Sequence, residues 1–260
     1  MYTLDRKWIA GLLAAVSMAL VGCGDDEPSQ PDGGRRDAGS PDAGAPDGGA
    51  TDGGAGDAGV CPSPEELWED IDLAEFTALP ALEELGNEGT FTLAESATYW
   101  ELRRGAPGSE DFQVILSVGD KCAEAEDAEV CRTEFDDMTA QSGFGPSCPP
   151  GLCFNYIAVN REDTSSLVIT REELVTFLGT IDSSAEAALV VYSHGFNWDA
   201  SEPAAGSVRT SEEGFVVLAT ELVQECLPIV TDRVQAQVSP AGELTVERRQ
   251  VYAASCNACI

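Results

Sequence analysis

The chain has 260 residues, with 46 acidic against 14 basic side chains, a single histidine and a net charge of -32 at pH 7. Such a balance excludes nucleic acid and anionic lipid surfaces as electrostatic partners, because neutralising phosphates takes clustered Lys and Arg. Nine cysteines point to an oxidising compartment, and a hydrophobic content of 43% is enough to build a substantial core.

Arg6 and Lys7 precede an apolar run over residues 8–20, which Gly22, Gly24, Asp25 and Asp26 bring to an end. A basic start, a short apolar stretch and small residues after it are the features of a secretory signal. The run falls short of the about 20 apolar residues that a membrane-spanning helix needs. Leu20-Val21-Gly22-Cys23 resembles the lipobox of bacterial lipoproteins: a large aliphatic residue, small residues, then a cysteine whose sulfur takes diacylglycerol. The resemblance implies that residues 1–22 are a signal peptide cut before Cys23. It further implies a multiply acylated amino terminus that partners the membrane, since one acyl chain alone holds a protein only marginally. Gly24 in place of Asp after that cysteine resembles the pattern that permits sorting to the outer membrane in some Gram-negative bacteria. The expected location is therefore the outer membrane, at its periplasmic face or the cell surface.

Residues 24–60 are almost wholly Asp, Gly, Ala and Pro. Asp32, Asp37, Asp42, Asp47, Asp52 and Asp57 recur every five residues, each followed by Gly or Ala and then Gly. A calcium-binding β-helix repeat would need a regular large apolar residue, and this pentad has none. With nothing to bury, residues 23–60 read as a lipidated cysteine followed by a disordered, self-repelling tether. A Gly-rich coil of this length has an r.m.s. span of roughly 35 Å.

Residues 61–260 read as one globular domain. Ser63-Pro64-Glu65-Glu66 has the form of a capping box and predicts a helix through Leu67, Trp68 and Ile71. Residues 89–104 and 112–118 are rich in β-branched and aromatic side chains and predict two strands around Gly105, Pro107 and Gly108. A short helix is expected over 130–139, and strands over 154–160 and 167–170. Thr170-Arg171-Glu172-Glu173 is a second capping box, opening a helix that stops at Gly179 with Leu174, Phe177 and Leu178 on one face. Ser183-Ser184-Ala185-Glu186 opens another short helix, which feeds an apolar run at 189–192 read as a strand. Val234, Ala236 and Val238 alternate with polar residues, a turn follows at 239–242, and Leu244, Val246 and Val251 complete a hairpin. Strands outweigh interspersed helices. The predicted class is α+β, a single disulfide-stabilised domain with mostly antiparallel strands and a few short helices.

With Cys23 set aside, Cys61, Cys122, Cys131, Cys148, Cys153, Cys226, Cys256 and Cys259 are an even set and candidates for disulfides. Short loops favour Cys122 with Cys131, and Cys148 with Cys153 across Pro149-Pro150-Gly151.

His194 follows an apolar stretch in Tyr192-Ser193-His194-Gly195, and a second such stretch ends at Ala254-Ser255-Cys256. This order resembles caspase-type cysteine peptidases, in which it implies His194 as base and Cys256 as nucleophile. The glutamine and glycine that flank that family's cysteine are missing here. Cys256-Asn257-Ala258-Cys259 matches the C-x-x-C redox pattern, with structural disulfides to separate partners as the plainer reading. Cys226, Cys256, Cys259 and His194 are suitable zinc ligands by type, but their spacing gives no support. No cofactor motif is present and none is expected. Trp198, in Phe196-Asn197-Trp198-Asp199, is the candidate binding residue, since an aromatic ring beside an acid can dock a sugar or a cation. The chain's acidity suits a cationic peptide or a divalent cation equally, although no calcium loop occurs.

Several segments together resemble a group of myxobacterial lipoproteins of unassigned activity: the Asp-Gly-Gly and Asp-Ala-Gly tether, Cys148-Pro149-Pro150-Gly151-Leu152-Cys153, Leu178-Gly179-Thr180-Ile181-Asp182, and Gly214-Phe215-Val216-Val217-Leu218 running to Cys226-Leu227-Pro228. The resemblance implies a lipid-anchored envelope or surface protein. A structural or binding role is the expectation, with a thiol enzyme as the alternative.

Overall fold

A computed structural model describes residues 61–88, 91–149 and 151–257. The signal, Cys23, the aspartate repeat and Cys259 lie outside the described residues.

The strands, in chain order, are β1 (Thr77–Ala78), β2 (Tyr99–Gly105), β3 (Phe112–Gly119), β4 (Phe154–Arg161), β5 (Thr164–Val168), β6 (Ser207–Ser211), β7 (Gly214–Glu225), β8 (Ile229–Val238) and β9 (Leu244–Ser255). The helices are α1 (Leu85–Glu88), α2 (Ala128–Asp137), α3 (Arg171–Leu178) and α4 (Ser184–Ser193). One sheet has the order β3-β2-β4-β5 and the other β1-β6-β7-β8-β9, and every pairing is antiparallel. The predicted α+β class is the one the chain adopts.

A single apolar cluster joins the two sheets. Trp100, Leu102, Ile157 and Val159 face inward from one, Val217, Ala219, Val234 and Ala236 from the other, and α3 and α4 fill the space between. The helix after Thr170 starts and stops where its sequence predicts. The Thr170 hydroxyl accepts from Glu173 N at 3.1 Å, and the Glu173 carboxylate returns to Thr170 N. Gly179 ends the helix at φ 78°, where an added Cβ would press on Ala94 at 3.1 Å.

Several elements differ from the sequence expectations. The run at 189–192 is the second half of α4, not a strand. The Ser183–Glu186 capping box commits the backbone to a helix, and every residue from Ala185 to Ser193 is buried between two sheets. A helix apolar on every side carries no 3.6-residue stripe, so it reads like a buried strand. The helix expected after Ser63 does not form. Cys61 is tied to Cys256, Glu65 N donates to Val251 O at 2.8 Å, and Gln250 Nε2 donates to Glu66 O at 2.6 Å, which draws this segment out as a strap along β9. The strand expected from 89 begins only at Tyr99, because Phe91 packs edge-on against Trp100 and Thr92 N bonds the Glu186 carboxylate. β6 and β7 were not expected as strands, and the 214–218 motif turns out to lie within an interior strand of the second sheet.

The disulfides Cys122–Cys131 and Cys148–Cys153 form as the short loops suggest, with Cα separations of 6.0 and 5.4 Å. Cys61–Cys256 adds a link across 195 residues of sequence, and Cys226 is disulfide-bonded as well. Among the described residues no helix is long and apolar enough to cross a membrane.

Candidate functional site

Trp198 sits where α4 hands over to the second sheet. Phe196 anchors this turn in the core, and Asn197 exchanges both backbone hydrogen bonds with Thr220 of β7, at 2.8 and 2.6 Å. The Trp198 ring packs edge-on against Tyr192 at 6.2 Å, and its Nε1 donates to Pro80 O at 2.7 Å. Its polar tip is thus used to dock residues 80–83. The rest of the ring borders a groove of about 470 Å³ shared with Leu82, Glu83, Tyr192 and Asp199. The Asp199 carboxylate accepts from Ser201 Oγ and N, at 2.6 and 2.9 Å, which holds it below the usual carboxylate range. An aromatic edge between two acids can take a positively charged group or stack a sugar.

The Tyr192 hydroxyl at the base of this region accepts from Arg104 Nη2 at 2.8 Å and donates to Asn155 Oδ1 at 3.2 Å. Burial raises its pKa, and the Arg104 guanidinium partly opposes this.

His194 lies elsewhere, as the C-terminal cap of α4, half-buried in a second groove of about 370 Å³ with Arg171, Glu172, Val175, Gly242 and Glu243. Burial lowers its pKa, Arg171 adds to the effect, and Glu172 opposes it. The structure does not bring Cys256 to it. His194 faces the turn at 239–243 where β9 begins, whereas Cys256 follows the other end of that strand. The eleven steps between the 12 residues of β9, at about 3.3 Å each, separate the two ends by roughly 36 Å. Cys256 is bonded to Cys61, so it offers no thiolate. The His194–Cys256 dyad is not assembled. The C-x-x-C reading fails for the same reason at Cys256, whose partner is Cys61. The four-ligand zinc set has two of its cysteines, Cys226 and Cys256, in disulfides. Among the described residues no group of three or more His, Cys, Asp or Glu could hold a metal ion.

A charged cluster that the sequence reading did not single out lies on the outer face of the first sheet, under α2. Glu101 and Arg103 are both buried, and Arg103 Nε donates to Glu101 Oε1 at 2.5 Å. The Tyr99 hydroxyl donates to the other carboxylate oxygen. Arg103 lies between the rings of Phe112 and Phe135, 3.9 and 4.7 Å from their centroids. Its remaining nitrogens donate to the carbonyls of Met138 and Phe135 at the carboxyl end of α2, where a helix favours a cation. Period-2 alternation from Tyr99 to Arg103 was the available signal. Burial of that face depends on α2, whose Phe135 lies 32 residues after Arg103 and which is not itself paired with β2.

Comparison with protein-family models, with curated proteins and with solved structures finds no match. Any reading of what this chain does therefore rests on its own residues.

Proposed function

We propose that this chain is a lipid-anchored cell-envelope protein with a structural or binding role, held through acylated Cys23 in the outer membrane. An acidic tether over residues 24–60 carries a disulfide-stabilised domain clear of the lipid. The observation that carries the reading is Leu20-Val21-Gly22-Cys23 closing a short apolar run behind Arg6 and Lys7. Disulfides at Cys61, Cys122, Cys131, Cys148, Cys153, Cys226 and Cys256 support an oxidising compartment. For a binding role, the groove at Trp198 with Glu83 and Asp199 suits a cationic or sugar ligand better than an anion.

The mass of the mature protein, taken before and after denaturing alkylation without reductant, tests this. The expected result is a chain that starts at an acylated Cys23 and takes up no alkyl group. A chain that keeps residues 1–22, or an unmodified Cys23, would overturn the anchoring. Alkylation mapped to Cys256 would return the thiol-enzyme reading to consideration.

A further inference from the structure

The strap over residues 61–76 crosses the outer face of the second sheet, touching Val251, Gln250, Arg248 and Arg209. Strand alternation sends Val234 and Ala236 into the core, so Arg233 and Gln235 of β8 point to the opposite face. Gln250 of β9 pairs with Arg233 in register and donates to the strap carbonyls of Glu65 and Glu66, which carries the strap past Arg233. Arg248 makes a bidentate pair with Asp70, both bonds 2.6 Å, and Arg209 lies 5.3 Å from the centre of the Phe76 ring. An acidic strap therefore lies on a face carrying three arginines, in a chain with a net charge of -32.

That cover is weakly held by everything except one covalent bond. No residue from 61 to 78 is buried, and Glu65 to Val251 is the one backbone bond from residues 61–76 to the sheet. Beside Gln250 in the sheet lies Arg233, only 6% exposed and 4.9 Å from the centre of the Tyr252 ring, with Nε and Nη1 lacking hydrogen-bond partners, and next to it Gln235 with its Oε1 unpaired. Buried polar atoms without partners are costly, and opening the strap would return them to water. Cys61 is exposed and Cys256 half-buried, so the bond that closes the strap is open to solvent, whereas Cys122 and Cys131 are buried.

We propose that Cys61–Cys256 is a redox-operated latch, and that its reduction releases residues 61–76 and uncovers the face bearing Arg209, Arg233 and Arg248. The step is exchange with a dithiol reductant. A reductant thiolate attacks one sulfur, its second thiol resolves the mixed disulfide, and Cys61 and Cys256 leave as thiols while the reductant becomes the disulfide. The inference does not depend on the anchoring at Cys23.

The test treats the full-length chain and its Cys61→Ser/Cys256→Ser double variant with phenylglyoxal, mapping modified arginines by peptide mass. Arg103, fully buried under α2, serves as the control for global unfolding. The expected result is an Arg233 modification rate at least about tenfold higher in the variant, with Arg103 unreactive in both. Unchanged protection of Arg233 would show that the strap stays closed without its latch and would overturn the proposal. Modification of Arg103 alongside Arg233 would overturn it too, by making the disulfide a support of the whole domain. Arg233→Met in the double variant removes the unpaired guanidinium and is expected to restore protection of the strap amides to hydrogen exchange. Continued exposure of those amides would count against the stated driving force.

Discussion

His194 is the only histidine, so its titration can be followed alone. Burial first, then Arg171, depress its pKa in the folded state below the ordinary value of 6.5. At pH values between the depressed pKa and about 6.5 the unfolded chain binds more protons at this site than the folded one. The neutral imidazole therefore contributes stability that is complete above pH about 6.5 and is lost as pH falls towards the folded pKa. Urea midpoints should fall as pH is lowered through this window in the native chain and change less in His194→Gln. An NMR midpoint for His194 at or above 6.5 would contradict the argument. Glu186 shows the opposite use of burial at the other end of the same helix. Its carboxylate, with no exposed surface, accepts from Thr92 N, Asp182 N and Ser183 N at 2.6 to 3.1 Å, so a charge-assisted set of bonds offsets its desolvation. It also ties the loop before β2 to α4, a contact across 94 residues of sequence.

Two serines in similar local sequences meet different fates at the scale of elements. Ser183 caps α4, its hydroxyl accepting from Glu186 N at 3.2 Å. Ser63 stands in an equally good capping box and caps nothing, because the strap spends its backbone groups on β9 and on Gln250. Ser183→Ala should lower stability by about 1 kcal/mol. Ser63→Ala should stay within about 0.5 kcal/mol of the parent, as expected for a surface change. Equal effects in chemical denaturation would mean that the strap segment is helical in solution. α4 makes the same point from the other side. Its Ala-rich first turns have strong helix propensity, and its Leu189-Val190-Val191-Tyr192 half is apolar without a stripe because a sheet lies on each side.

Charge dominates the behaviour of the whole molecule. A net charge of -32 on 260 residues opposes compaction through self-repulsion. The exposed ion pairs Arg248–Asp70, Arg161–Glu95 and Lys121–Asp136 offset little of it, since such pairs are individually weak. Salt screens the many repulsions more than it weakens these few attractions. Raising NaCl from about 10 mM to about 0.5 M should therefore raise Tm, by about 2–4 °C for a domain of this size. A fall in Tm over that range would mean that specific ion pairs outweigh the net repulsion.

Local chemistry alone determined a good part of this protein. Short loops paired Cys122 with Cys131 and Cys148 with Cys153, reciprocal capping placed α3 and the start of α4, and two-residue alternation placed β8 and β9. Each of these is written in neighbouring residues, so nothing distant can overrule it cheaply. The candidate residues stand far apart in the sequence, and local windows do not assemble them into a site. Trp198 does border a groove, while its partners Glu83 and Tyr192 come from other parts of the chain, and His194 and Cys256 are held apart by the length of β9. Tertiary structure alone decided the strap, the Cys61–Cys256 link across 195 residues, the helical state of 189–192 and the burial of Arg103. In each of these the deciding partner lies on a surface that exists only after the sheets have formed, so no window of local sequence contains it.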